Sequence, residues 1–266
     1  MNRLDARFAD LKLRGEKALV AFVTAGDPLP ERTADVIVAL AGGGADVIEV
    51  GVPFSDPLAD GPTIQASSFR ALQAGMTPPK VLASVKEARN RGVTTPIILM
   101  GAWNPALQYG PEKFARACVD AGVDGSIMTD LSPEEAGEWK KISDAAGLST
   151  VFLLAPTSTA SRIALVGRMA TGFLYCVSMA GITGTKDVDA SSLPKLVASI
   201  RTRSGDTPIC VGFGIKTPEQ VAAVSKIADG AVVGTALVAY LHENRDAPDL
   251  LTKAKDYIAA LKSATR

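Results

Sequence analysis

Histidine is nearly missing from this chain: His242 is the only one among 266 residues. It stands beside Glu243 near the C-terminus, the setting of a solvated surface side chain. That scarcity removes the means for a histidine-based triad or a histidine-ligated metal. Cysteine is almost as sparse. Cys118, Cys176 and Cys210 are odd in number, lie in apolar settings and lack metal-ligand spacing. They are expected to be reduced, packed thiols of a cytosolic protein. Charge of one sign is missing too: Lys+Arg and Asp+Glu both number 28, so the net charge is zero. A general nucleic-acid or membrane-surface binder would carry a basic excess. No apolar run approaches the length of a membrane span. The start, Met1-Asn2-Arg3-Leu4-Asp5-Ala6-Arg7-Phe8, has no apolar leader region. The expectation is a cytoplasmic protein with neither a nucleic-acid nor a membrane partner.

What the chain does have is apolar material, 47% of its residues, spread in short runs. Strand candidates are 18–26, 46–51, 96–101, 125–130, 150–156, 173–179, 208–214 and 229–235. Runs apolar on both faces fit a parallel sheet covered on both sides. Between them lie segments of helical period: Arg32–Leu40, Pro79–Arg91, Pro111–Ala121, Pro133–Ala146, Ser161–Met169, Leu193–Arg203 and Pro218–Ile227. Two begin with the start signature of Pro after a polar residue, Thr217-Pro218 and Ser132-Pro133. Gly92, Gly122 and Gly147 follow helix ends. Eight strands alternating with helices predict an α/β protein, a (β/α)8 TIM barrel forming a single domain over 1–266. An open doubly wound sheet is the alternative, but no G-x-G-x-x-G follows the first strand. Residues 1–13 are expected to form an extra N-terminal helix placed to plug the barrel bottom, and Asp249–Lys262 the last helix.

The most informative stretch is Val47-Ile48-Glu49-Val50-Gly51-Val52-Pro53-Phe54-Ser55-Asp56-Pro57-Leu58-Ala59-Asp60-Gly61-Pro62. It buries a carboxylate, Glu49, in an apolar strand, which is costly unless the charge is paired or used. No Lys or Arg occurs in any of the eight candidate strands, so a strand-borne partner is missing. The loop after the strand carries a second carboxylate, Asp60, which is either a functional group or a turn and cap residue. Asp56 and Asp130 have the same two readings, and Tyr175 is either core or site. Barrel active sites lie at the C-terminal strand ends. There, three glycine-rich segments (180–185, 211–215 and 233–236) look like a phosphate cradle, since glycine lets backbone N–H groups approach an anion. With no strand lysine for a Schiff base and no nucleophile beside a base, carboxylate acid–base chemistry on a phosphorylated small molecule remains.

With those residues in place, nearly the whole chain resembles the tryptophan synthase alpha family, the indole-3-glycerol-phosphate lyases. The resemblance rests on Glu49–Gln65, with Phe22–Pro28, Gly181–Gly184, Gly212–Ile215 and Gly234–Ala236 at matching positions. It implies retro-aldol cleavage of indole-3-glycerol phosphate to indole and glyceraldehyde 3-phosphate in tryptophan biosynthesis. It also implies an α2β2 complex whose β subunit carries pyridoxal phosphate and receives the indole. No cofactor or metal is implied for this chain. Glu49 would shuttle protons, Asp60 would hold the ring N–H, and Tyr175 would line the site. Gly184, Phe213, Gly214, Gly234 and Thr235 would hold the phosphate. Phe22, Ile64, Met100, Ile127 and Thr129 would wall the indole. Thr183 would hold Asp60. Asp56, Pro57, Asn104 and the loop from Ala180 to Asp189 would face the β subunit. Ala102 stands where relatives commonly have an aromatic, so either the pocket is looser or Trp103 compensates. Met179 stands where some relatives have a basic residue. Thr235 replaces a common serine and keeps the hydroxyl. The competing readings are a stand-alone lyase, a regulatory phosphate-binding subunit and a different sugar-phosphate isomerase on the same barrel.

Overall fold

Each apolar run becomes a strand and the helical stretches return the chain between them. The structure, a computed structural model, describes residues 2–177, 193–212 and 214–266. The strands are β1 (Ala18–Thr24), β2 (Val47–Gly51), β3 (Ile97–Gly101), β4 (Gly125–Met128), β5 (Ser149–Thr150), β6 (Phe152–Leu154), β7 (Leu174–Val177), β8 (Ile209–Gly212) and β9 (Gly230–Val233). All pair in parallel, in the order β5-β4-β3-β2-β1-β9-β8-β7-β6. The run expected as one strand at 150–156 is thus two short pieces. β5 pairs with β4 and β6 with β7, and the Val151 N–H between them donates to the Ser126 carbonyl at 3.0 Å. Counted as one broken strand, they complete the eight positions of the (β/α)8 barrel.

The helices are α1 (Arg3–Arg14), α2 (Thr33–Gly42), α3 (Pro62–Gln73), α4 (Pro78–Asn90), α5 (Trp103–Tyr109), α6 (Pro111–Ala121), α7 (Gly137–Ala146), α8 (Ala160–Met169), α9 (Leu193–Ser204), α10 (Pro218–Ser225), α11 (Thr235–Glu243) and α12 (Leu250–Lys262). Among them α3 and α5 were not foreseen. Pro218 opens α10 behind a complete capping box of Thr217 and Gln220. Pro133 does not open α7, which starts at Gly137 after a run of turns. Gly122 and Gly147 end α6 and α7 with φ of 84° and 75°, conformations that cost a side chain-bearing residue.

Alternation along the strands makes two apolar layers. Leu19, Ala21, Ile48, Val50, Ile97 and Leu99 face the helices, while Val20, Val47, Ile98, Ile127, Tyr175 and Val232 fill the barrel. α1 closes the bottom as expected: Leu4, Phe8 and Leu11 join the interior cluster, and the Phe8 and Phe173 rings lie 5.7 Å apart.

The bottom rim is also pinned by a repeated device. The Asp46 carboxylate accepts the Leu19 N–H at 2.7 Å, Asp124 accepts Ile97 N–H at 2.8 Å, and Asp229 accepts Ile209 N–H at 2.9 Å. Thr171 does the same for Thr150 N–H at 2.8 Å through its hydroxyl. Each carboxylate is matched by cations, as Asp124 is by Arg3 at 2.9 Å and Arg89 at 2.7 Å. Removing one partner of such a buried set leaves the others desolvated and unpaired. Asp124→Ala is therefore expected to cost about 3–5 kcal/mol, read as a lowered urea midpoint, with the site chemistry at the other end unaffected. A cost under about 1 kcal/mol would mean that the clamp is ornamental.

Candidate active site

β2 aims Glu49 into the barrel. Ile48 and Val50 belong to the outer layer, so Val47, Glu49 and Gly51 face inward. Glu49 is fully buried, with Phe22 and Ile98 as register partners. Among the described residues neither of its carboxylate oxygens has a hydrogen-bond partner and no cation pairs with it. Burial alone pushes its pKa up to about 8, so the carboxyl is largely protonated at neutral pH.

Gly51, the next inward position on β2, opens onto a pocket at the barrel mouth. Its lining includes Phe22, Gly51, Asp60, Ile64, Ser68, Met100, Ala102 and Thr129. The Phe22 ring lies over Gly51, where an added Cβ would sit 2.7 Å from its tip. The pocket and the buried carboxyl are thus stacked one above the other. Asp60 stands on the loop between β2 and α3, where burial raises its pKa to about 6. Its carboxylate is not spent on capping: Gly61 is the N-cap of α3, and no side chain caps it. The Asp60 backbone instead fixes the loop, its N–H donating to Pro57 at 3.0 Å and its carbonyl accepting from Gln65 Nε2 at 2.8 Å.

Two strand-end polar residues anchor α3 over the mouth. Thr24 and Ser67 share a hydroxyl hydrogen bond of 2.7 Å. Asp27 takes both arms of Arg70 at 2.6 and 3.0 Å. Their role is to hold the helix that carries Ile64 and Ser68.

Tyr175, on β7, is buried in the barrel with its hydroxyl above Gly212. Burial holds its phenol well above the ordinary range, and the charges of Glu49, Cys210 and Asp60 add to the effect. A Cβ at Gly212 would fall 2.2 Å from the Tyr175 hydroxyl. Gly212→Ala is expected to push the ring aside, destabilising the protein by roughly 1–3 kcal/mol and lowering turnover. Unchanged turnover with unchanged stability would show that Tyr175 has room to spare.

The glycine-rich strand ends meet at adjacent positions. Gly214 and Gly234 each lie two residues beyond the register pair Gly212–Val232 of β8 and β9. Gly214 has a φ of 76°, and Gly234 is the N-cap of α11, with Thr235 its first residue. Gly234 packs beside Phe22, whose Cβ would lie 3.4 Å from an added methyl, so this corner borders the pocket. Among the described residues no Lys or Arg lines the pocket, so what these residues offer an anion at this corner is backbone N–H groups and a hydroxyl. Thr183, Gly184 and Phe213, with the rest of 178–192, lie outside the described residues.

The remaining predicted residues fall into place unequally. Phe22, Ile64, Met100 and Thr129 line the pocket, whereas Ile127 is fully buried in the interior cluster. Asp56 and Pro57 line the outer rim beside Leu58, which is 89% exposed. Asn104 is exposed on α5 and does not line the pocket. Asp130 receives the Trp103 N–H at 2.6 Å and so secures the start of α5. Trp103 does not replace a missing aromatic at Ala102: its ring packs outward on Trp139, 5.5 Å away. His242 is half-buried rather than fully solvated, its Nδ1 enclosed without a partner. Ser68 was missed by sequence reasoning; the signal was Gly61-Pro62, which opens the unforeseen α3. Among the described residues no group of His, Cys, Asp and Glu could hold a metal ion, and no helix is long and apolar enough to cross a membrane.

Comparison with known proteins agrees with this geometry. The sequence model of the family described as tryptophan synthase alpha chain matches residues 8–266. The tryptophan synthase alpha chain of Geobacter sp. (strain M21) is 50% identical over 262 residues, covering 98% of this chain and 97% of the relative. That of Burkholderia thailandensis is 46% identical over 264 residues, covering 99% and 97%. Among solved structures, the tryptophan synthase subunit alpha of Legionella pneumophila superposes with a TM-score of 0.90 at 41% identity, covering 100% of this chain and 98% of that one. A chain of Mycobacterium tuberculosis tryptophan synthase gives 0.91 at 35% identity, covering 100% and 98%.

Proposed function

Given that the chain belongs to the tryptophan synthase alpha chain family, we propose that it cleaves indole-3-glycerol phosphate to indole and glyceraldehyde 3-phosphate, with Glu49 and Asp60 as its catalytic carboxyl groups. The observation that carries this reading is the buried Glu49, without a hydrogen-bond partner among the described residues, beneath a pocket that Phe22, Ile64 and Met100 wall and Asp60 borders. Phe22, Ile64, Met100 and Thr129 take the flat indole ring, with Ile127 backing Met100 from the next strand. Gly214, Gly234 and Thr235 take the phosphate, together with Gly184 and Phe213.

The chemistry follows from the two pKa values. Protonated Glu49 donates to C3 of the indole, which turns the ring into an iminium and electron sink. The Asp60 carboxylate accepts the ring N–H and stabilises the positive charge that develops there. Ionised Glu49 then takes the proton of the glycerol hydroxyl next to the ring. The C–C bond breaks, its electron pair flows into the ring to restore indole, and the hydroxyl carbon becomes the aldehyde of glyceraldehyde 3-phosphate. Glu49 ends protonated, as it began. A group poised near neutrality serves both as acid and as base, which a carboxyl at its ordinary pKa does poorly. Tyr175 packs beside this exchange and limits where the carboxyl swings.

In this reading 1–266 is one cytoplasmic barrel domain and works in an α2β2 complex. Asp56, Pro57, Asn104 and the loop from Ala180 to Asp189, which includes Thr183, face a β subunit that carries pyridoxal phosphate and uses the indole. The test is release of glyceraldehyde 3-phosphate from indole-3-glycerol phosphate, with and without a tryptophan synthase β subunit. Slow release alone and a large rise with β are expected. Fast release indifferent to β would favour a stand-alone lyase, and no release in either case would overturn the assignment.

A further inference from the structure

Two of the three glycine-rich segments of the cradle share one outside brace. The loop after β8, residues 214–217, is fixed on its α10 side by three hydrogen bonds. Gln220 Oε1 accepts the N–H of Lys216 at 2.8 Å and of Thr217 at 3.2 Å, and the Thr217 hydroxyl accepts the Gln220 N–H at 3.4 Å. From the other side the Tyr257 hydroxyl of α12 donates to the Lys216 carbonyl at 3.2 Å. The ring of Tyr257 stacks on that of Tyr240, with centroids 4.7 Å apart and planes 23° apart. Tyr240 belongs to α11, the helix whose first turn holds Gly234 and Thr235. One side chain of the last long helix therefore grips both walls: its hydroxyl holds the loop of Gly214, and its ring holds the helix of Thr235. Burial and the neighbouring Tyr240 keep the Tyr257 phenol above its usual range, so its hydroxyl remains a donor at any physiological pH.

We propose that Tyr257 is a positioning residue for the substrate phosphate: through Lys216 and Tyr240 it sets the spacing between the Gly214 loop and the N-terminus of α11. The inference rests on the reading of these two segments as the phosphate cradle. A backbone cradle has no long flexible cation to adapt to the anion, so its N–H groups bind well only at the right spacing. The brace lies outside the pocket and touches neither the indole walls nor the carboxyl groups, which separates its effect from theirs.

The experiment compares Tyr257→Phe, which keeps the stack and deletes the hydroxyl, with the unaltered chain in its complex with a β subunit. Three quantities are read: kcat and KM for indole-3-glycerol phosphate, inhibition by glycerol 3-phosphate, and binding of indole. KM and the glycerol 3-phosphate inhibition constant are expected to rise together by about 2- to 10-fold, the range of one neutral hydrogen bond. kcat and indole affinity should stay within about twofold. A merely structural role would move indole binding and kcat as well, and that pattern overturns the proposal. So do unchanged phosphate-dependent constants in a variant of unchanged melting temperature. Thr235→Val serves as the cradle control. If it too leaves glycerol 3-phosphate inhibition unaltered, the cradle reading falls and this inference with it; if it weakens inhibition while Tyr257→Phe does not, only this inference falls.

Discussion

Glu49→Gln is expected to lower kcat for indole-3-glycerol phosphate by about 10²–10⁴-fold, the range that a positioned acid–base group supplies, with KM little changed. The amide keeps the shape and polarity of the neutral carboxyl but can neither give nor take the proton. A kcat near that of the unaltered chain would remove Glu49 from the reaction. The same substitution carries a second expectation of unusual sign. The folded carboxyl sits at about 8, well above a solvated glutamate. Between pH 4.5 and 8 the unfolded chain therefore releases a proton that the folded chain keeps, so stability falls as pH rises through that window and levels off above it. The full loss is of the order of 5 kcal/mol at about 1.4 kcal/mol per unit. Glutamine has no charge to bury. Its variant should melt higher than the unaltered chain at pH 8.5 and show no such advantage at pH 4.5. A variant less stable at both ends would mean that the carboxylate finds stabilising partners on ionising.

Asp60→Asn is expected to cost about 10²–10³ in kcat, roughly 3–4 kcal/mol, as for other preorganised groups that stabilise developing charge. Glu49 needs its proton and Asp60 needs to lose its own. With values of about 8 and about 6, kcat/KM should rise through pH 6, peak near 7 and fall above 8. The acid limb belongs to Asp60 and should flatten in Asp60→Asn, leaving the alkaline limb in place. If only KM changes, Asp60 binds substrate without stabilising the transition state.

Much of this was legible because barrel strands announce themselves. Runs apolar on both faces need cover on both sides, and within such a run Glu49 had nothing to pair with. The pattern placed all eight barrel positions, but with apolar residues on both faces of β2 only the structure, with Ile48 and Val50 in the outer layer and Val47 in the inner one, shows that Glu49 faces inward. What was not legible lies where local sequence has no period. α3 begins at Gly61-Pro62 directly after a loop of prolines and aspartates, and its buried face of Ile64, Ser67, Ser68 and Ala71 is half polar, which breaks the apolar stripe. The break of the fifth strand at Val151 falls where pairing passes from β4, which takes β5, to β7, which takes β6, a property of the whole sheet. Thr24 and Asp27 stand at and just beyond the end of β1, where a barrel's site residues lie. Only the partners brought in by α3, Arg70 and Ser67, show that they are anchors. Trp103 likewise reads as a pocket neighbour of Ala102 until Trp139, 36 positions on and one helix layer out, takes its ring.

The most direct test of the account is a titration of the Glu49 carboxyl itself, by carbon-13 NMR of protein labelled at the glutamate side-chain carboxyl and assigned by comparison with Glu49→Gln. A single glutamate is expected to stay protonated through neutral pH and to titrate with a midpoint near 8. A Glu49 resonance already ionised at pH 6 would contradict it, since a carboxylate in that state has no proton to give to the indole ring.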